Sequence, residues 1–516
     1  MYRIGRETVV VCGLVLGAGI CMVAGAQDTR PLTEPKIPPV CTKLEARLYA
    51  EPDTNGGRIS EEDEQKLDTE RVQKALNGCT PGQAVELTSG VHSAMKDTPA
   101  AKPERYDAFL SGPLDMREGV TLLIDKGVTL YGSRDPRDYE IPNPDAKPGD
   151  LIAPIKCGTS TPRPTTFPTF SVNAGARPRG GCRPLIAIND VKNVGIMGEG
   201  TIDGRGYATL AGHDYSWWQM ARKAQPNDDL YYSTRLISAN HADGLVLYKI
   251  TLHNSPNFHV GVNNTNGFMA WGVHLQTPVD KSLDARNTDG IDPGTSQNVT
   301  VAYSWIDNGD DNIAIKQGVS HMSVVHDHFY NGHGMSIGSE TMLGQSDLVV
   351  HDLVEDHTSS GIRIKSNVKR GGPVHDLIYK GICMRDVPIP IAISPYYTNQ
   401  TVEPFEDPKY TGDKIPDYKG ILLQDIYSET PGDVLIAGLN DEHRTQVTLK
   451  NVIIKGIKPS QVHLFYDDLT VQAPGTNLPL REGANKTVKL TEDGAKDIES
   501  AGEQPDPCAG KFVPMQ

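Results

Sequence analysis

The dominant pattern in the chain is short alternation. From about Val194 onward, stretches of three to six residues place an apolar side chain at every second position, break at an Asn, Asp or Gly turn, and begin again. GLVLYKITLHNSPNFHV, NVTVAYSWIDNGDDNIAIK, HMSVVHDHFYNGHGMSIGS, DLVVHDLVEDHTSSGIRIKS and QVTLKNVIIKG are readings of one such unit. Period-two alternation belongs to strands with one buried face. The best-aligned units recur at about two dozen residues with little helix between them, which predicts the coils of a parallel β-helix, each burying its apolar face only against its neighbours. A propeller would need blades of roughly 40 to 50 residues and a recurring aromatic signature; neither is visible.

Before the repeats, DTERVQKALNG predicts one helix, with Thr69 as N-cap, Val72, Ala75 and Leu76 as its apolar face and Gly78 as its stop. It is expected to cap the N-terminal end of the stack. Residues 95–190 are rich in Pro, Gly and charge, with strand-like patches VTLLID and VTLYG, and read as long loops over a β scaffold. The expected organisation is a leader over 1–26, β-helix coils over 27–470 and a polar tail over 471–516.

Composition sharpens this picture. With 51 glycines, 37 prolines and 6% aromatics in 516 residues, the chain is built of turns and short strands rather than a helical bundle. Arg3 and Arg6 precede a short apolar run that ends at Ala24-Gly25-Ala26, the pattern of a signal peptide. The mature protein is therefore expected to be secreted, outside the cell or into a periplasm, and free of a membrane anchor. Loss of Cys12 and Cys21 with the leader leaves six cysteines bound for an oxidising compartment. Local pairing suggests Cys41–Cys79, Cys157–Cys182 and Cys383–Cys508, one of fifteen possible connectivities. A formal net charge of −15 argues against a nucleic-acid partner. It also repels an anionic sugar, so such a substrate would need cations concentrated in a cleft.

Four runs carry candidate chemistry: Asn287-Thr288-Asp289, Gly309-Asp310-Asp311, Gly332-His333-Gly334 and Arg363-Ile364-Lys365. Asp289 and Asp311 are 22 residues apart, as are Asp311 and His333, one coil per step if Ile291, Ile313 and Met335 align inward. The Asn308-Gly309 and Asn331-Gly332 pairs give 23, a one-residue ambiguity of register. Neighbouring rungs lie about 4.8 Å apart, so three rungs bring these groups within roughly 10 Å on one face. Arg363 and Lys365 alternate with Ile362 and Ile364 and project onto that same face. Glycoside hydrolysis needs one carboxylic acid and one carboxylate, and crowded carboxylates cannot all ionise, so one Asp should hold its proton. Arg363 and Lys365 could hold a substrate carboxylate.

Each feature has a plainer use. An Asp beside Gly or Asn commonly bonds its own backbone in a turn. Asp307 to Asn312 could be read as a calcium loop, but an EF-hand wants Glu at the twelfth position, where Gly318 stands. His321, His326 and His328 lack further ligands at metal spacing and read as solvent-facing strand residues. No metal and no cofactor are expected. Trp217-Trp218 and Tyr231-Tyr232 could stack on sugar rings or pack a loop. The coincidence of four motifs on one face favours catalysis.

NTDGIDP, GDDNIAIK, GHGMSIGSET and GIRIKS, in that order, resemble glycoside hydrolase family 28, the polygalacturonases, and bacterial endo-polygalacturonases in particular. The resemblance covers roughly residues 40 to 460. It implies a right-handed parallel β-helix of the pectin lyase-like kind, and a monomer acting on polygalacturonate or pectin without a cofactor. It casts Asp310 as general acid, Asp289 and Asp311 as the pair that positions and activates water, and His333 as a modulator of the acid's protonation. Arg363 and Lys365 would hold a galacturonate carboxylate, with Tyr397, or the adjacent Tyr396, against the sugar. Asn287 would support the site and His259 line it. Rung spacing alone suggests the short carboxylate separation tied to retention, whereas the resemblance implies inversion. Exo-acting or rhamnogalacturonan-cleaving members of the family, a β-helix pectate lyase and a non-catalytic carbohydrate-binding β-helix are the competing readings.

Overall fold

The computed structural model describes residues 32–90, 105–141, 156–162, 182–397, 411–484, 486–495, 499 and 506–515. The leader predicted over 1–26 and much of the 140–185 loop lie outside them. Among the described residues, strands form one sheet of 23 and one of 11, almost all paired in parallel, with a separate antiparallel pair of Ser160–Thr161 and Leu230–Tyr231, and the chain is a parallel β-helix. In the 11-stranded sheet each strand pairs with the strand of the next coil, so sequence order is spatial order. The sheet includes β1 (Ile237–Asn240), β2 (Val260–Asn263), β3 (Ile291–Gly294), β4 (Ile313–Ile315), β5 (Met335–Gly338), β6 (Ile362–Lys365) and β7 (Ile391–Ser394).

Alternation explains the core. Ile237, Val260, Ile291, Ile313, Met335, Ile362 and Ile391 are paired rung to rung as one continuous aliphatic stack, every member fully buried. The intervening residues of the same strands, among them Gly261, Asp292, Ser336 and Arg363, stand on the opposite face. A repeat this short cannot bury its own apolar row, and stacking supplies the missing surface.

α1 spans Thr69–Gly78, and Val72 and Leu76 enter the main core with Ala75 packed beside them. Asp68, not Thr69, occupies the N-cap position. The Thr69 hydroxyl is used elsewhere, accepting the Gly112 N–H at 2.8 Å, and the Asp68 carboxylate turns to Arg71 at 2.8 Å. A strand at Val40–Glu45, which the pattern did not signal, pairs with Gln83–Thr88, and Cys41–Cys79 ties it to the end of α1. The other two disulfides are Cys157–Cys182 and Cys383–Cys508.

Residue 470 falls inside a strand, Asp467–Thr476, and Lys489–Asp493 adds to it in parallel, Leu469 against Leu490. Among the described residues no helix is long and apolar enough to cross a membrane.

Candidate active site

The register Ile291–Ile313–Met335 places Asp289, Asp311 and His333 at equivalent points just before β3, β4 and β5, as the 22-residue spacing predicts. Asp310 extends beside Asp311 from the same turn. All four line one cleft of about 780 Å³, together with Asn287, Arg363, Lys365 and Tyr397. Glycine permits the close approach of the turns. A Cβ on Gly334 would meet the Ser360 carbonyl oxygen at 2.0 Å, and one on Gly309 would meet that of Ala285 at the same distance.

The aspartates have different surroundings. Asp311 is fully buried; its Oδ1 accepts bonds from the Ser336 hydroxyl (2.8 Å) and Arg363 Nη1 (2.9 Å), and its Oδ2 accepts one from Lys365 Nζ (2.6 Å). Burial alone would raise its pKa, but the ammonium and guanidinium hold it far below the ordinary carboxylate range. Asp310 is more open. Burial pushes it up, and the His333 ring at 3.2 Å, with Lys365 farther off, overcomes this and leaves it below its ordinary value. Asn287 Nδ2 donates to Asp310 Oδ2 at 3.4 Å, and the Tyr231 hydroxyl donates in turn to Asn287 Oδ1 at 2.8 Å.

Asp289 is the opposite case. It is buried, its Oδ1 has no hydrogen-bond partner among the described residues, and burial with the adjacent Asp292 drives its pKa well above the usual value. Asp292, whose two oxygens are likewise unpartnered among the described residues, is pushed up by burial to about 6. Lys316 Nζ stands 3.7 Å from Asp289 and 3.5 Å from Asp292. Burial and crowding thus raise Asp289 and Asp292, whereas His333, Lys365 and Arg363 lower Asp310 and Asp311, so the cleft sets its carboxylates apart in acidity.

Asp310, Asp311 and His333 offer donor atoms within 4.8 Å of one another, the one metal-compatible grouping among the described residues. A cation there would have to share Asp311 with Lys365 and Arg363.

One expectation changes. His259 does not line the cleft: it is fully buried, its Nδ1–H donating to the Asp289 carbonyl (3.0 Å) and its Nε2 lying 2.7 Å from the Thr277 hydroxyl, and burial lowers its pKa to about 4. It stands in the turn before β2, one residue ahead of the inward-facing Val260, where the neighbouring turn encloses it and it supports the Asp289 backbone. Of the adjacent tyrosines, Tyr396 is buried with its hydroxyl on the Leu439 carbonyl (2.9 Å), and Tyr397 lies in the cleft, its ring centroid 5.3 Å from Lys365 Nζ. The open alternative for Trp217-Trp218 closes on packing: both are buried in a helix, α2 (Trp217–Ala224), that the pattern did not predict.

Several residues were missed. Asp292 lies on β3 between inward-facing neighbours, a position alternation could have assigned to the face. Lys316 follows IAI as Lys365 follows IRI, so the two lysines hold equivalent lateral positions. Behind the carboxylates, Asn308 Nδ2 donates to the carbonyls of Thr288 and Asp311 (both 2.8 Å). Asn312 Nδ2 donates to Asn308 Oδ1 (2.8 Å), and Asn312 Oδ1 accepts the Gly334 N–H (2.8 Å). These two side chains link the three turns that carry Asp289, Asp311 and His333. Nothing in an Asn-Gly dipeptide distinguishes such a clamp from an ordinary turn.

Residues 140–466 match the family described as glycosyl hydrolases family 28. The chain belongs to that family. An endo-polygalacturonase of Pectobacterium carotovorum subsp. carotovorum is 37% identical over 434 residues, covering 83% of this chain and 90% of the relative. A polygalacturonase of Ralstonia nicotianae is 33% identical over 507 residues, covering 88% and 86%. Among solved structures, the polygalacturonase of Erwinia carotovora ssp. carotovora superposes with a TM-score of 0.65 at 36% identity, over 85% of this chain and 100% of that one. As a family 28 member the protein is a glycoside hydrolase, and its cleft lies on the 11-stranded sheet of the β-helix.

Proposed function

We propose that this glycoside hydrolase is a secreted, monomeric, endo-acting polygalacturonase that cleaves α-1,4-galacturonosyl linkages of polygalacturonate and pectin with inversion. The observation that carries the reading is a single cleft holding Asp289, Asp310 and Asp311 beside Arg363 and Lys365, in a protein otherwise strongly acidic. The similarity to the Pectobacterium endo-polygalacturonase supports the endo mode, and three disulfides support an oxidising destination.

Asp310 is the general acid. Before substrate binds, its pKa is low because His333 and Lys365 stabilise the carboxylate. A galacturonate carboxylate seated against Lys365 cancels part of that field, and the sugar displaces water from Asp310; both raise its pKa toward that of a working acid. As the bond to the anomeric carbon breaks, the Asp310 proton passes to the leaving oxygen while a water oxygen bonds the anomeric carbon from the opposite side. Asp289, whose Oδ1 makes no hydrogen bond among the described residues, takes up the proton lost by the water in its ionised form, in which its raised pKa makes it the stronger base. Asp311, held ionised by three donors, orients that water and stabilises positive charge developing on the ring. Tyr397 and Asn287 complete the sugar contacts and the support of Asp310.

The test is a time course on polygalacturonate with analysis of the product anomer. Early oligomers of mixed length, formed as β-anomers and without ultraviolet-absorbing double bonds, are expected; monomer or dimer alone would reject endo cutting, and α-anomers would reject inversion.

A further inference from the structure

Five cations line the cleft: Arg235, Arg286, Lys316, Arg363 and Lys365. Arg363 and Lys365 are already bonded to Asp311, and Lys316 is shared between Asp289 and Asp292. Arg235 and Arg286 make no ion pair among the described residues, and Arg235 is the one set against the sheet floor at Gly261. Among the described residues no carboxylate lies within ion-pair distance of its guanidinium, whose contact is with the Phe258 ring, 4.7 Å from its centroid. Lys316 Nζ approaches the same centroid at 5.6 Å. In a chain with 65 acidic and 50 basic residues, an unpaired arginine facing a cleft is matched to an anion supplied from outside.

Its location is equally specific. The guanidinium lies over Gly261, where a Cβ would come 3.7 Å from Nη1, so the absent side chain leaves the floor open. Gly261 pairs laterally with Asp292 on β3, whereas Arg363 stands on β6. Four rung steps separate Gly261 from Arg363, about 19 Å along the groove at ~4.8 Å per step. The carboxylates of the β3 and β4 rungs lie between the two basic positions.

We infer that Arg235, braced on Phe258 with Lys316 alongside, is a second carboxylate-binding subsite that grips another uronate unit of the same polysaccharide, on the far side of the catalytic aspartates from Arg363 and Lys365. This rests on the proposed action on polygalacturonate and adds a requirement to it: a free carboxylate is read on both sides of the cut. A planar guanidinium suits a carboxylate in two parallel bonds. A methyl ester at that unit removes the charge and one acceptor, so blocked substrate forfeits the contact.

The experiment compares wild type, Arg235→Gln and Arg235→Lys by steady-state kinetics on polygalacturonate and on highly methyl-esterified pectin. Arg235→Gln is expected to raise KM on polygalacturonate about tenfold, more than it lowers kcat, and to change KM on the esterified substrate by less than twofold. Arg235→Lys, which keeps the charge without the fork, should raise KM about threefold and serves as the test if the Gln variant fails to fold. An unchanged KM, or equal losses on both substrates, overturns the subsite. Wild type that releases no reducing ends from polygalacturonate overturns the substrate reading itself, whereas an active wild type with unaffected variants overturns the subsite alone.

Discussion

Asp310 and Asp311 are adjacent in the chain, yet one meets an imidazole at 3.2 Å and the other an ammonium, a guanidinium and a hydroxyl at 2.6–2.9 Å. The difference separates their tasks, because a group tied to three donors cannot act readily as an acid. Asp310→Asn keeps the shape but cannot supply a proton; kcat on polygalacturonate should fall about 10³-fold, as for loss of a general acid, with the thermal midpoint nearly unchanged. Retention of the wild-type rate would remove Asp310 from its role. His333 lowers the Asp310 pKa by hydrogen bonding, so His333→Ala should raise it. The alkaline limb of the kcat/KM pH profile, which reports the free enzyme, would then move to higher pH; a shift to lower pH would contradict the assignment. The four motifs were legible as spacing, because the coil repeats in sequence as it does in space. The raised pKa of Asp289 was not, since it depends on Asp292 and on burial, neither of which appears in a motif.

At the scale of elements, the three catalytic turns are held in register from behind. Asn308 is buried and bonds two carbonyls and Asn312. Asn308→Ala orphans these groups at a cost of about 1–3 kcal/mol each. We expect a lower midpoint in urea and a loss in kcat larger than the change in KM, checked on the same preparation by unfolding and kinetics. Beneath β5, Glu355 is fully enclosed; among the described residues it accepts only the Met335 N–H (3.2 Å), and burial drives its pKa from 4.5 up to about 8. An acid raised in the native state binds its proton more tightly when folded, so it weakens the fold progressively as pH climbs from about 4.5 to about 8. Glu355→Gln should therefore raise the melting temperature at pH 8 and leave it unchanged at pH 4, read by calorimetry at both. The strands that hold these groups were predictable from alternation; α2 was not, because its two tryptophans and short length carry no clear period.

For the whole molecule, stability is a sum over neighbouring coils, and the ends are the exposed positions. The C-terminal segment is strapped to the 23-stranded sheet by Cys383–Cys508, by Lys511–Asp352 at 2.8 Å and by the Tyr330 hydroxyl on the Val513 carbonyl at 2.7 Å. The cleft lies on the other large sheet. Cys508→Ser should cost about 2–4 kcal/mol in reversible unfolding while preserving kcat at 25 °C; loss of activity at that temperature would show that the strap reaches the cleft. By itself, the sequence determined the coil, its period, its aliphatic stack and the face on which the acidic and basic motifs meet, because each follows from alternation and a near-constant repeat. Only the tertiary structure decided which carboxylates are raised and which lowered in pKa, that His259 is enclosed, and that Arg235 makes no ion pair among the described residues. Those outcomes depend on distances between coils and on exclusion of water, which arise when separate turns are stacked.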